Sequence, residues 1–266
     1  MPILQEMLNF SVDGTFRGSA LTRANGKAYL TVSKPLLLNV GTHPMGVTFT
    51  GDSLYNPTTP RASSLIITKA DTEILAPKVA GTLGKSISIN ATLLRLTNGG
   101  GIGGASVSYK LDGTTIGSTL TGGTGIATLV YKIDAPLTIG THTLVIDFAG
   151  DTNHNASTVS KTLRVDKAPT RLTINTQAAK VGGIVTFKSK MTRRIDGFGL
   201  VGKTVSFLVD GVVVGSAVTG ATSFAELTFT VPNTLSVGLH TLSASFAGDA
   251  SYLTANSSIS TLTVKP

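Results

Sequence analysis

The sequence has no cysteine and no tryptophan, and only 14% of its 266 residues are charged. Without cysteine there is no disulfide to staple a small secreted fold, so any domain here must stand on core packing. That absence suits the cytosol and a bacterial surface alike. No apolar run reaches the roughly 18 residues of a membrane-spanning helix. The opening Met1-Pro2-Ile3-Leu4-Gln5-Glu6 lacks a basic segment followed by an apolar core, so it does not read as a signal peptide. No C-terminal sorting signal or hydrophobic tail is recognisable, so signals for export or anchoring are expected outside this chain.

Acids are also scarce, 14 against 22 Lys and Arg, for a net charge of +8. A basic balance can serve an anionic partner such as nucleic acid, acidic glycan, teichoic acid or lipid headgroup. The cations are scattered, however, which is the pattern of a solvated surface short of acids.

What is present is repetition. Val12-Asp13-Gly14 returns as Leu111-Asp112-Gly113 and Val209-Asp210-Gly211. Gly41-Thr42-His43 returns as Gly140-Thr141-His142 and Gly238-Leu239-His240. Phe49-Thr50-Gly51-Asp52 returns as Phe148-Ala149-Gly150-Asp151 and Phe246-Ala247-Gly248-Asp249. The spacing is 99 residues and then 98. A fixed period of this length means tandem copies of one small domain.

Within each copy, apolar residues alternate with polar ones, the period of a strand with one buried face. Leu8, Phe10 and Val12 correspond to Val107, Tyr109, Leu111 and to Val205, Phe207, Val209. The Asp-Gly pair that follows suits a two-residue hairpin. Further strands are expected through Ala28, Leu30, Val32 and their counterparts Ala127, Leu129, Tyr131 and Ala225, Leu227, Phe229. Others are expected through Met45, Val47, Phe49 and at Leu65 and Ile67. About seven short strands in such a unit predict an all-β fold of tandem immunoglobulin-like sandwiches arranged end to end. The expected units are 1–69, 70–167 and 168–266. Short junctions, Lys69-Ala70-Asp71 and Lys167-Ala168-Pro169, predict a semi-rigid rod. The first unit lacks the segment for the two opening strands A and B. It reads as a fragment of a longer array or an initiator placed inside a repeat, with completion by another chain as the alternative.

The candidate chemistry is thin. His43, His142 and His240 occupy one repeat position, and no carboxylate neighbours them in sequence; they read as structural. Asp13, Asp112 and Asp210 suit hairpin turns, and Asp52, Asp151 and Asp249 suit turns that bond their own backbone. Ca²⁺ would need six to eight oxygens, and the junctions offer Asp71 and Glu73 at one and Asp166 at the other. The run Asn98-Gly99-Gly100-Gly101-Ile102-Gly103-Gly104 lacks the Lys-Ser/Thr ending of a phosphate loop. No catalytic, cofactor or metal residue is expected. One basic group stands out: Lys188 and Lys190 on a strand, then Arg193 and Arg194, then a loop with Phe198. It is the candidate contact for a cell-wall or host glycan or another anionic polymer. Nucleic acid is a poorer fit, because no stacking platform of aromatics accompanies the charge.

The repeats resemble the bacterial Ig-like repeat domains of the group 3 type. The residues that carry the resemblance are the strand ending in Asp-Gly, the Gly-x-His entry, and the Gly-Asp-x-x-Tyr segment. That segment is Gly51-Asp52-Ser53-Leu54-Tyr55 in the first copy and Gly248-Asp249-Ala250-Ser251-Tyr252 in the third. His154 stands in place of the Tyr in the second. The resemblance implies a non-enzymatic spacer or adhesion module of a larger extracellular or cell-surface protein, its partners the neighbouring repeats. It leaves open a polymer-binding module and accessory repeats beside a separate hydrolase domain.

Overall fold

The computed structural model describes residues 2–32, 37–59 and 61–266. Every regular element among them is a strand. Repeat one contributes β1 (Met7–Val12), β2 (Thr15–Leu21), β3 (Gly41–Thr48) and β4 (Ser63–Ile67), in one sheet ordered β2-β1-β3-β4. Repeat two contributes β5 (Thr72–Leu75), β6 (Val79–Thr82), β7 (Ser86–Arg95), β8 (Ser106–Leu111), β9 (Thr114–Leu120), β10 (Ile126–Lys132), β11 (Gly140–Phe148) and β12 (Ser157–Asp166). Repeat three repeats that plan with β13 (Thr170–Ile174), β14 (Gln177–Lys180), β15 (Ile184–Arg193), β16 (Thr204–Val209), β17 (Val212–Val218), β18 (Phe224–Thr230), β19 (Gly238–Phe246), β20 (Ala255–Asn256) and β21 (Ser260–Lys265).

Repeats two and three are each a sandwich of a three-stranded sheet and a larger one, five-stranded in repeat two and six-stranded in repeat three, where β20 adds to β19. The small sheets are β10-β7-β5 and β13-β15-β18; the large ones are β6-β12-β11-β8-β9 and β14-β21-β19-β16-β17. The opening strand is split so that it serves both layers. β5 pairs antiparallel with β7, whereas β6, beyond Pro77, pairs parallel with β12. Alternating residues from the two layers fill one core per repeat. In repeat two these include Ile89, Leu93, Tyr109, Ile146 and Leu163; in repeat three, Phe187, Met191, Phe207, Leu242 and Leu262.

The Asp-Gly pairs form two-residue hairpin loops, closed by Val12↔Thr15, Leu111↔Thr114 and Val209↔Val212. Asp13, Asp112 and Asp210 have φ of 50°, 47° and 48°, and the following glycines 71°, 83° and 78°. Two successive positive φ values match the twist of the flanking strands, and Asp-Gly is a pair that adopts them at low cost.

Repeat one keeps this hairpin and the strands around it, but its sheet has no second layer among the described residues. The strand expected through Ala28, Leu30 and Val32 does not form. Its counterparts β10 and β18 take their ladders from β7 and β15. Without such a partner the backbone groups of 28–32 have no sheet to join. Leu30 nonetheless keeps its packing place, 2.9 Å from where a Cβ on Gly18 would lie. Leu129 over Gly117 and Leu227 over Gly215 do the same at 2.8 Å.

Candidate functional site

Each recurring histidine meets a carboxylate after all. Nδ1 of His43, His142 and His240 lies 2.7, 2.6 and 2.6 Å from Oδ2 of Asp13, Asp112 and Asp210, the aspartate of the hairpin 30 residues earlier. Nε2 lies 2.8, 2.9 and 2.8 Å from the carbonyls of Asn39, Thr138 and Ser236. Carboxylates and carbonyls only accept, so the arrangement favours the protonated ring, in which both nitrogens donate. The histidine pKa is raised accordingly. At His43 the Asn39 carbonyl and then Asp13 raise it; at His240, Asp210 and then the Ser236 carbonyl. At His142 burial pushes it down, and Asp112 with the Thr138 carbonyl outweighs the burial. Asp112 and Asp210 are held below the usual carboxylate range, chiefly by these histidines. Their second oxygen accepts the N–H of Thr143 or Thr241; Pro44 has no such donor in repeat one. With both nitrogens donating, the ring has no lone pair for a metal or a substrate proton. It pins the hairpin to the loop that enters the next strand.

The second set of aspartates builds a turn. Oδ1 of Asp52, Asp151 and Asp249 accepts the N–H groups two and three residues on, at 2.7 to 2.9 Å. Among the described residues no group of three or more His, Asp or Glu is placed to hold a metal ion.

These turns anchor the junctions. Ala70 N donates to Asn153 O, and Asn155 N donates to Ala70 O. At the next junction Ala168 N donates to Ser251 O, and Leu253 N to Ala168 O. Lys69 Nζ reaches Asp151 O at 2.6 Å, and Lys167 Nζ reaches Asp249 O at 2.7 Å. Each linker is thus bonded through both backbone groups of its alanine and one lysine to the repeat it introduces. Tyr252 packs against the cores of both repeats two and three.

Arg193 belongs to the second junction, not to an exposed basic stripe. It is 1% exposed. Alternation on β15 explains the correction: Val185, Phe187, Ser189 and Met191 face the core, and Arg193 continues that row. Its guanidinium lies 3.0 Å from Asp134 of repeat two and 2.6 Å from Asp196. Arg193, and then Lys132, hold the Asp134 carboxyl well below its ordinary range. Asp196 first, and then Asp134, raise the guanidinium pKa against a burial cost. The Arg193 side chain passes over Gly84, where a Cβ would stand 2.4 Å from Nε.

The other candidate cations stay outside. Lys188 pairs with Glu226 at 3.1 Å, Lys190 lies 5.7 Å from the Phe224 ring centre, and Arg194 is exposed. Phe198 is 60% exposed, and its ring lies 5.1 Å from the Arg193 guanidinium. Beside them is a concavity of about 450 Å³ lined by Thr170, Arg171, Thr192, Arg193, Arg194, Gly197 and Asn256. A larger one, about 750 Å³, lies on the outer face of β8 and β11, where Lys110 and Asp147 pair at 2.8 Å.

Residues 172–265 match the family model of the bacterial Ig-like domain, group 3. That match lies within repeat three. No curated protein matches the chain. Among solved structures the chain is similar to a tetra-tandem repeat in the extending region of a large adhesion protein. Identity is 17%, the match covers 99% of this chain and 68% of that one, and the TM-score is 0.43. It is also similar to the adhesin InvE of Yersinia pseudotuberculosis, at 17% identity over 72% of this chain and 58% of that one, TM-score 0.35. The fibronectin(III)-like modules of Clostridium thermocellum CbhA match at 17% identity over 73% of this chain and 94% of theirs, TM-score 0.30.

The Ig-like repeats carry a sequence signal for the pin. Asp and His recur together at a constant separation of 30 residues in all three copies, which is the mark of a contact. Asp134, the acceptor for Arg193, recurs in no other copy; Pro232 stands at its place in repeat three.

Proposed function

We propose that this chain is a non-enzymatic spacer, a run of Ig-like repeats within a larger bacterial surface or secreted protein that holds its neighbours at a set distance. The observation that carries this reading is the duplicated junction. A spacer must resist bending where one unit meets the next, and a flexible linker would leave its backbone solvated. Here Ala70 and Ala168 have both backbone groups bonded to the following repeat, under matching lysines. The recurring His and Asp residues support the reading as well, since they are engaged in pins and turns inside each repeat.

The test is small-angle X-ray scattering of the chain beside a variant with four Gly-Ser residues inserted after Lys167. The proposal expects an extended particle one sandwich thick, and a broadened distance distribution once the insertion frees the junction. A folded-back particle, or one already as broad without the insertion, would overturn it.

A further inference from the structure

We propose that the outer face of β13 and β15 is a binding site for an acidic polysaccharide, with Arg171 and Arg194 holding its carboxylate or sulfate groups. The inference goes beyond the spacer reading and does not need it.

Pairing places the cations. Arg171 stands opposite Thr192 in the β13–β15 ladder, and Arg194 N donates to Pro169 O at 2.9 Å. Lys190 and Arg194 lie two residues either side of Thr192, so both are diagonal neighbours of Arg171 on the outer face, about 7 to 8 Å away. All three side chains are exposed. The acids nearby in sequence or on this sheet are engaged elsewhere: Asp196 with Arg193, Glu226 with Lys188, and Asp249 with Lys203. The result is a cationic face left without a counter-charge among the described residues.

The sister repeat shows that the fold does not require this charge. At the positions of Arg171, Lys188, Lys190 and Arg194, repeat two has Glu73, Asn90, Thr92 and Leu96. The strands match and the burial alternates alike, yet the cationic face belongs to one copy. Charge that a fold can do without points to a ligand.

The concavity gives the ligand its chemistry. Arg171 and Arg194 line it together with Thr192 and Asn256. Guanidinium binds carboxylate and sulfate through paired N–H donors, and neutral polar groups suit sugar hydroxyls. Among the cations' neighbours, Phe224 lies under Lys190 and Phe198 against Arg193. That leaves no row of open rings for stacked bases, and the face favours polysaccharide over nucleic acid.

The test is affinity electrophoresis of the full chain in gels containing heparin, alginate or neutral dextran at physiological salt, with single-stranded DNA as a further arm. Retardation is expected in heparin or alginate and not in dextran. The double variant Arg171→Ser/Arg194→Ser should weaken it about tenfold or more, the loss of one good charge-assisted contact or better. The charge-matched variant Lys78→Ser/Lys85→Ser in repeat two should leave it unchanged. A gain-of-function arm keeps the result clear of folding effects: Glu73→Arg/Leu96→Arg should strengthen retardation by adding a second site. Equal loss in the two Ser variants, no retardation by either acidic polymer, or stronger binding to DNA through the same arginines would each overturn the proposal.

Discussion

Repeat one and repeat three carry the same hairpin, the same histidine pin and the same sheet register, yet only one of them has an interior. Phe10 and Phe207 occupy equivalent strand positions. Phe207 is fully buried between two layers and lies 6.1 Å from Phe187, whereas Phe10 is part-exposed on a single layer. The only large apolar residues buried among the described part of repeat one are Val12 and Phe49. The contrast separates two kinds of information. Turn chemistry and cross-strand pairing specify the sheet, register included, since the hairpin bulge falls at Phe10/Ser11, Tyr109/Lys110 and Phe207/Leu208 alike. Burial between layers supplies the stability, and it needs strands β13 to β15 or their like.

Cutting the chain should separate the two repeats most strongly. Residues 168–266 should unfold in urea as one cooperative transition, and residues 1–69 should show none. Circular dichroism across a urea series decides, and matching transitions would remove the distinction. A smaller effect is expected from one substitution made in both places. Phe207→Ala should cost about 3 to 5 kcal/mol, the usual loss for a buried aromatic. Phe10→Ala should cost well under half as much, because little of its surface is withdrawn from water. Equal losses would mean that a hidden second layer covers repeat one.

The interior row of β15 carries the next effects. Arg193→Ala removes the buried guanidinium that bridges Asp134 and Asp196 and leaves only Lys132 beside the two part-exposed carboxylates; it should cost about 1 to 3 kcal/mol, read as a lower melting temperature of the coupled repeats two and three. Gly84→Ala should act in the same direction from the other side by displacing the guanidinium. Ser189, whose hydroxyl is buried without a partner and whose counterpart is Ala91, should tolerate Ser189→Ala with no loss or a gain of up to about 1 kcal/mol.

Much of this was legible before the structure. Alternation located most of the strands, and Asp-Gly located the hairpins. The same alternation sends Lys188 and Lys190 out and Arg193 in, so the buried arginine could have been read from parity alone; what hid it was adjacency to Arg194. Asp134 could not be found that way, because it comes from another repeat. The missing strand at 28–32 was illegible for a related reason. A strand is defined by its partner, and Ala28, Leu30 and Val32 keep the pattern without one.

The smallest effect belongs to pH. The folded pKa of His240 is raised, so its contribution is complete below the unfolded value near 6.5 and fades as pH rises through the folded value. Asp210 is lowered, so its share is present above about 3.8, the ordinary carboxylate value, and fades as pH falls through its folded value. Melting of residues 168–266 should therefore lose a few degrees on the alkaline side, and His240→Gln should flatten that slope. An unchanged slope in the variant would show that the pin is not the titrating group.

Repeats two and three, joined through Arg193 and Asp134, should meet at a fixed angle. The absence of cysteine makes it directly measurable, because spin labels attach only where cysteine is introduced. Val130→Cys and Val213→Cys place one label on an exposed strand position of each repeat. Pulsed electron–electron resonance should give a single narrow distance distribution that broadens when Arg193→Ala is added. A distribution already broad in the unaltered junction would rule out a fixed angle.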